Sequence, residues 1–418
     1  MVVKTQVLAE PLTLPCGVEV KNRFYKSAMN EALGTRGAAP TADHVRLYRR
    51  WADGGAGVLV TGNVMVDPGQ LGEPGNVAVE DERHLPILRQ WAEAGTAHGT
   101  QLWMQINHPG KQSPSTINTH PVAPSAVPIS GAYGRFFVPP RELSVDEIRV
   151  IEQRFVTTAR IAKKAGFTGV EIHGAHGYLV NQFLSPLDNQ RTDEYGGSLE
   201  NRTRFLVEIY QGMREELGDG FPIAVKLNSS DGIPGGLSEE DSLRVAAKLS
   251  EIGVDVIDVS GGTYEKPAIE TISGNAEDEQ RGVYFADYAR KLKDLVHTPV
   301  ALTGGFRSAA DMEHAVSDGI VSFVGVARPF VHVPDLANRI IEDGFRGRVE
   351  MPWITTKIPM LDKAFGGVLV VSWYELQMQR LARGQQVSQR ADGLAALLFT
   401  VRKHGLGALL PRRTGNHK

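Results

Sequence analysis

A chain of 418 residues with 42% hydrophobic and 22% charged residues and a formal net charge of −3 has the composition of an ordinary globular protein. So balanced a charge points away from nucleic acid or a membrane surface as partner. The single cysteine, Cys16, excludes an intrachain disulfide, a cysteine-ligated iron–sulfur cluster and a cysteine-rich zinc site, so any redox chemistry requires an organic cofactor. The first residues, MVVKTQVLAEPL, lack the apolar core of a signal peptide, and no apolar run approaches the roughly 18 residues of a membrane span. A cytoplasmic location is expected, and the glycosylation match at Asn201-Arg202-Thr203 is read as chance.

In chain order, the segment 11–24, containing LTLPCGVEVKNRF, alternates apolar and polar residues around Pro15 and Gly17 and reads as a short hairpin capping one end of a barrel. A regular beat follows, of short apolar strand, loop, and amphipathic helix ending in glycine. Strands are expected at 24–29, 57–63, 101–107, 169–173, 222–228, 254–260, 299–304 and 321–326. Capping patterns announce helices at Ser144 with Glu147, Ser238 with Asp241, and Ser308 with Asp311. The first of these places Ile148, Ile151, Phe155, Ala159 and Ala162 on one stripe and stops at Gly166. Eight strand–helix units with glycine returns (Gly99, Gly166, Gly253, Gly319), and no Gly-x-Gly-x-x-Gly, fit an α/β fold of the (β/α)8 TIM-barrel type better than an open doubly wound sheet.

The barrel is expected to occupy residues 1–340. The tail, 341–418, carries Trp353, Trp373, a helical run over 374–382 and the basic end PRRTGNHK; it packs on the barrel or across a homodimer, and the sequence leaves both open. Two long loops, 108–143 with Tyr133, Phe136 and Phe137, and the polar, acidic 263–282, leave strand carboxyl ends, where barrel enzymes bind substrate, and are read as specificity walls and lid.

The chemistry concentrates at strand ends. In TGVEIHGAHGY, Val170 and Ile172 alternate with Glu171 and His173, and Gly174 and Gly177 loosen the backbone so that His176 and Tyr178 turn back toward His173. Two imidazoles and a phenol on one point can hold a carbonyl oxygen and deliver a proton beside it. The seventh strand runs into Thr303-Gly304-Gly305-Phe306-Arg307 and the eighth into Gly325-Val326-Ala327-Arg328. Glycine turns before a helix, with an arginine fork, suit a phosphate of cofactor or substrate; the alternative is ordinary turn glycines with a surface arginine. Asn30, Thr61, Gln105 and Lys226, at other strand ends, describe a planar, hydrogen-bonding, anion-tending ring.

The stretches KNRFYKSAMNE, GGAGVLVTGNVMV, LWMQINHPGKQ, VEIHGAHGYLVNQFLSPLDNQRTDEYGGSLENRTRF, VKLNSSDG, TGGFRS and GVARPF together resemble the Old Yellow Enzyme family of FMN-dependent ene-reductases and NAD(P)H:flavin oxidoreductases, over residues 5–340. The resemblance implies non-covalent FMN, NADPH or NADH as reductant, and a small electron-poor alkene as substrate. It places Ala28, Gly62, Gln105 and Lys226 along the flavin ring and Gly304, Gly305, Ala327 and Arg328 on its phosphate. It gives His173 and His176 the substrate's carbonyl or nitro oxygen, and makes Tyr178 the proton donor. Asn30 stands where many members set Thr or Cys against the flavin, and Lys226 where many have Arg. Competing readings are a barrel lyase or isomerase acting on a phosphorylated substrate, a hydrolase with a metal on Glu171, His173 and His176, and a flavin binder without activity. The expectation carried forward assigns no metal.

Overall fold

Eight parallel strands close on themselves in the computed structural model, which describes residues 6–263, 265, 283–388 and 390–405. They are β1 (Phe24–Lys26), β2 (Val58–Val60), β3 (Gln101–Asn107), β4 (Gly169–Gly174), β5 (Ile223–Asn228), β6 (Val256–Ser260), β7 (Val300–Thr303) and β8 (Phe323–Val326). Each pairs with the next, and β8 returns to β1 with Gly325 opposite Tyr25, so no edge is left in the barrel. All eight expected strands are present, most of them shorter than expected at their ends.

Alternation along the strands sorts the side chains. Val170 and Ile172 of β4, with Leu102, Met104 and Ile106 of β3, face the helices in the main apolar core. Tyr25, Val58, Val60, Trp103, Ala224, Val256, Ala301 and Phe323 fill the barrel from inside. Two residues further along the same inner face the chemistry changes: Trp103 gives way to Gln105, Ala224 to Lys226, Val256 to Asp258 and Ala301 to Thr303. The barrel is therefore apolar at its amino end and polar at its carboxyl end.

The hairpin closes the apolar end. Its strands, Leu12–Thr13 and Glu19–Val20, pair antiparallel, and Gly17 takes a φ of 86° in the turn. Leu14 and Val20 join the inner core, and the Cys16 N–H donates to Asp255 Oδ1 at 2.9 Å, just before β6.

Helices α1 (Ala42–Asp53), α2 (Leu85–Gly95), α3 (Val145–Ala165), α4 (Leu199–Leu217), α5 (Glu239–Glu251), α6 (Ala286–Lys293), α7 (Ala309–Ser317) and α8 (Leu336–Ile341) surround the barrel. The capping box of α3 forms in both directions, its expected stripe is buried, and it ends at Gly166 with φ 99°. The hydroxyls of Ser238 and Ser308 accept from the Asp241 and Asp311 N–H groups, as their spacing predicts. In the long loop after β3, Phe137 and Ile129 form a small apolar cluster with Phe136. The Tyr133 side chain, most of loop 263–282 and the basic end lie outside the described residues.

The expected helical run over 374–382 is the end of a longer helix, α9 (Pro359–Ala382), and a second helix, α10 (Gly393–His404), follows it. Gly366-Gly367 followed by Val368, Val370 and Val371 lowers intrinsic helicity there, and tertiary packing overrides it. Trp373 stacks on His332 with centroids 5.4 Å apart and donates its Nε1–H to Arg390 O at 3.2 Å. Arg46 of α1 donates to the Ala382 carbonyl at 2.8 Å, so α9 rests on the barrel wall. Trp353 is 47% exposed.

His332 is a stability probe for this contact. Burial, with Arg328 nearby, pulls its pKa down to about 4. The folded state thus binds fewer protons than the unfolded state between about pH 6.5 and that value, so stability falls as pH falls through this window. By pH 5 the parent is expected to lose about 2 kcal/mol through this one group. His332→Phe, which keeps a ring against Trp373, should show a shallower decline of melting temperature between pH 7 and pH 5. Parallel pH profiles for parent and variant would contradict it.

Candidate active site

The polar end of the barrel is floored by two buried carboxylates. Glu171 accepts from Gln105 Nε2 at 2.6 Å and from the Tyr25 hydroxyl at 2.5 Å, and stands 3.7 Å from Lys226 Nζ. Asp258 pairs with Lys226 through one oxygen and accepts from Thr303 Oγ1 at 2.7 Å through the other. Thr303 in turn bonds Ser27 at 2.8 Å. Burial, reinforced by Glu171, raises the Tyr25 pKa well above the ordinary phenol value and keeps it a neutral donor. A carboxylate only accepts, so Gln105 must turn its NH2 to Glu171 and keep its carbonyl oxygen for another partner. From the sequence Glu171 stands out only as a metal-ligand candidate, and Asp258 does not stand out. The signal lay in the strand alternation, since each sits two residues beyond a small or branched residue on the inner face.

Above this floor His173, His176 and Tyr178 come together. His176 takes φ 66° and Gly177 φ 76°, a left-handed pair that folds the chain back over β4. The bend is held by the His176 N–H on Asn228 Oδ1 at 3.1 Å and by Gln112 Nε2 on the His176 carbonyl at 2.9 Å. The rings stand edge to face, with centroids 4.9 Å apart both for His173 with His176 and for His173 with Tyr178. His173 Nδ1 accepts from the Ala175 N–H at 3.4 Å, which assigns the proton to Nε2. That Nε2 lies 3.2 Å from His176 Nδ1, and His176 Nε2 lies 2.6 Å from Ser260 Oγ. With both rings in the neutral form, donation runs in one direction, from His173 to His176 to Ser260, and His173 Nε2–H is the donor that an incoming oxygen would take over.

Glu171 faces Tyr25 and Gln105, away from a shared ligand position with the imidazoles. Among the described residues no group of three His, Cys, Asp or Glu is arranged to hold a metal.

On the far side, Thr303, Gly304, Gly305, Ala327 and Arg328 line one pocket with Arg307 and Met351. Gly304 takes φ 130°, and a Cβ there would come 2.8 Å from the Tyr284 ring. Arg307 belongs to the turn named from the sequence but not to the expected phosphate residues, and Met351 has no sequence signal near it. Arg307 is buried within the quoted TGGFRS stretch, and its carbonyl accepts from the Val349 N–H at 2.8 Å, which draws the segment carrying Met351 beside the turn.

Between these lobes the ends of β1 and β2 meet. Ala28 adjoins the inner core. The Thr61 hydroxyl accepts from the Gln105 N–H at 2.9 Å, which ties it to β3 and leaves its own O–H as a donor. The Gly62 N–H is also taken, by Glu31 Oε1 at 2.9 Å and the Tyr48 hydroxyl at 3.1 Å. A Cβ on Gly62 would run into Glu31 Oε2 and lie 2.6 Å from Met29 O. Gly62→Ala should therefore cost about 1–3 kcal/mol by overpacking and lower the fraction of protein purified with flavin. A parent-like melting temperature and visible absorbance would contradict this. Asn30 accepts from Asn76 Nδ2 at 3.0 Å, while its own Nδ2 is buried with no hydrogen-bond partner.

An unsatisfied amide donor, an amide acceptor and a fixed cation on one side, with glycine turns and arginines on the other, suit a flat heterocycle with donor and acceptor edges and a phosphate tail. FMN has that form. The fold and this mouth define a flavin-dependent barrel oxidoreductase.

A family model described as NADH:flavin oxidoreductase / NADH oxidase matches residues 7–345. The chain belongs to that family, the Old Yellow Enzyme family, whose members use FMN with NADH or NADPH. It is 37% identical over 375 residues to a NADH-dependent flavin oxidoreductase of Hypocrea jecorina, covering 82% of this chain and 93% of that one. With a NADPH dehydrogenase of a Geobacillus species it shares 34% identity over 330 residues, 78% of this chain and 92% of the relative. The solved old yellow enzyme homologue of Zymomonas mobilis superposes with a TM-score of 0.69 at 25% identity, covering 82% of this chain and 94% of that one. No helix among the described residues is long and apolar enough to cross a membrane.

Proposed function

We propose that this flavin oxidoreductase is an ene-reductase acting on small electron-poor alkenes such as enones, enals, maleimides or nitroalkenes. The observation that carries the reading is the meeting of Tyr178, His173 and His176 over the Gln105–Glu171–Lys226 floor. Bound non-covalently, FMN would supply the two-electron hydride chemistry between NADH or NADPH and the alkene β-carbon. Ala28, Asn30, Gly62, Gln105 and Lys226 would hold its ring, Gln105 as acceptor and Lys226 as a nearby positive charge. Gly304, Gly305, Ala327 and Arg328 would hold its phosphate, with Arg307 lining the same pocket.

His173 Nε2–H bonds the oxygen of the activating carbonyl or nitro group and stabilises the negative charge that gathers there in the transition state. His176, tied to Ser260 and Asn228, keeps the His173 ring in position until that oxygen arrives. The Tyr178 hydroxyl delivers a proton to the α-carbon. Burial of all three side chains limits water at the reacting atoms.

The test is an anaerobic titration. NADH or NADPH should bleach the yellow protein, and an enone, maleimide or nitroalkene should restore the colour with one saturated product per flavin. Colour restored only by oxygen would reject alkene reduction. Acid should release the chromophore, which should run as FMN; FAD, or colour that stays with the denatured chain, would reject the cofactor assignment.

A further inference from the structure

The amide of Asn30 has only one orientation open to it, and Asn76 imposes it. Asn76 is 1% exposed, just before the side strand Val77–Ala78. Its Oδ1 accepts from the backbone N–H groups of Gly72 at 3.1 Å and Glu73 at 2.7 Å. Backbone amides only donate there, so Asn76 must turn its Nδ2 the other way. The two hydrogens on that nitrogen go to Asn30 Oδ1 at 3.0 Å and to Asn63 Oδ1 at 3.3 Å. Asn30 follows β1 and Asn63 follows β2, so one buried side chain braces the carboxyl ends of both strands. With its oxygen fixed toward Asn76, Asn30 keeps its NH2 on the opposite edge, where it is buried and unpartnered. Flipping Asn30 would press two NH2 groups together, which is why the orientation is locked rather than averaged.

We propose that Asn76 is a positioning residue that makes Asn30 a one-way hydrogen-bond donor to the flavin ring, and that the Asn30–Asn76–Asn63 triad thereby sets the reduction potential. The inference rests on the reading that the mouth beside β1 and β2 takes the ring of FMN. A donor fixed on the ring binds more strongly when electron density enters it, so the locked amide favours the reduced form. A side chain free to flip would average donor and acceptor and favour neither.

The measurement is the midpoint potential of FMN-loaded protein by dye equilibration, for the parent, Asn30→Ala, Asn76→Asp, Asn76→Ala and the double variant Asn30→Ala with Asn76→Asp. Asn76→Asp keeps the acceptor for Gly72 and Glu73 but replaces the donor, so it draws the Asn30 NH2 away from the ring. A tenfold loss of preference for reduced over oxidised flavin is expected, a fall of about 30 mV for a two-electron couple. Asn30→Ala should fall by a similar amount, and the double variant no further, because Asn76 acts through Asn30 alone. Asn76→Ala, which carries no charge, should fall in the same direction. Variants of Asn76 that lower the melting temperature but leave the potential within a few millivolts would reduce Asn76 to a loop brace and overturn the proposal. So would shifts that add in the double variant, since they report the Asp charge alone. A parent without flavin absorbance would instead overturn the flavin reading on which the inference stands.

Discussion

Tyr178→Phe is expected to leave flavin reduction by NADH or NADPH near the parent rate while slowing alkene reduction on the order of 10²-fold or more. The two half-reactions differ in one requirement. Hydride entering the flavin needs no proton from Tyr178, whereas saturating a carbon–carbon double bond needs one at the α-carbon. Phenylalanine keeps the ring that lies edge to face on His173, 4.9 Å between centroids, so the loss is confined to the hydroxyl. The residue is 4% exposed, which leaves little room for water to replace it as donor. Stopped-flow absorbance of each half-reaction in isolation measures the split. Equal slowing of both halves, or of neither, would remove Tyr178 from proton delivery.

Replacing His173 and His176 together by Ala should lower kcat/KM for the alkene by roughly 10²–10³-fold, the scale of losing an oxyanion donor. Phenol binding to the oxidised protein should weaken in parallel, because a phenolate presents similar charge at the same place. The direction of donation ranks the single variants. Ala175 fixes the His173 proton on Nε2, and that proton faces His176. His173→Ala therefore removes the donor itself, whereas His176→Ala removes its resting partner and leaves the donor in place. The first should cost clearly more than the second in kcat/KM. If the double variant binds phenols as tightly as the parent, neither imidazole meets the substrate oxygen; if His176→Ala is the worse single variant, the direction of donation is reversed.

Much of the fold was legible because its signals are local. The α3 helix shows this: Ser144, Glu147 and Gly166 mark its ends, and its buried stripe follows from the helical repeat. Strand β4 shows it too, since period-two alternation alone turned His173 inward and two glycines nearby promised the return of His176 and Tyr178. The tail was less legible. Helix α9 runs through a Gly-Gly and valine-rich stretch because Trp373 packs on His332, 41 positions away in the chain.

What the sequence determined by itself was the barrel, the cluster His173–His176–Tyr178 and the glycine–arginine turns of Gly304, Gly305 and Arg328, each written within a few consecutive residues. Only the tertiary structure decided how those groups are aimed. Gln105 is turned by Glu171 across 66 residues, Lys226 is held by Asp258 across 32, and Asn30 is locked by Asn76 across 46. It also ties Thr61 to β3, through the Gln105 N–H that its hydroxyl accepts. The physical reason is that a side-chain amide looks alike from both edges in a sequence. Which edge donates is settled by the obligate donors and acceptors that closure of the barrel brings against it.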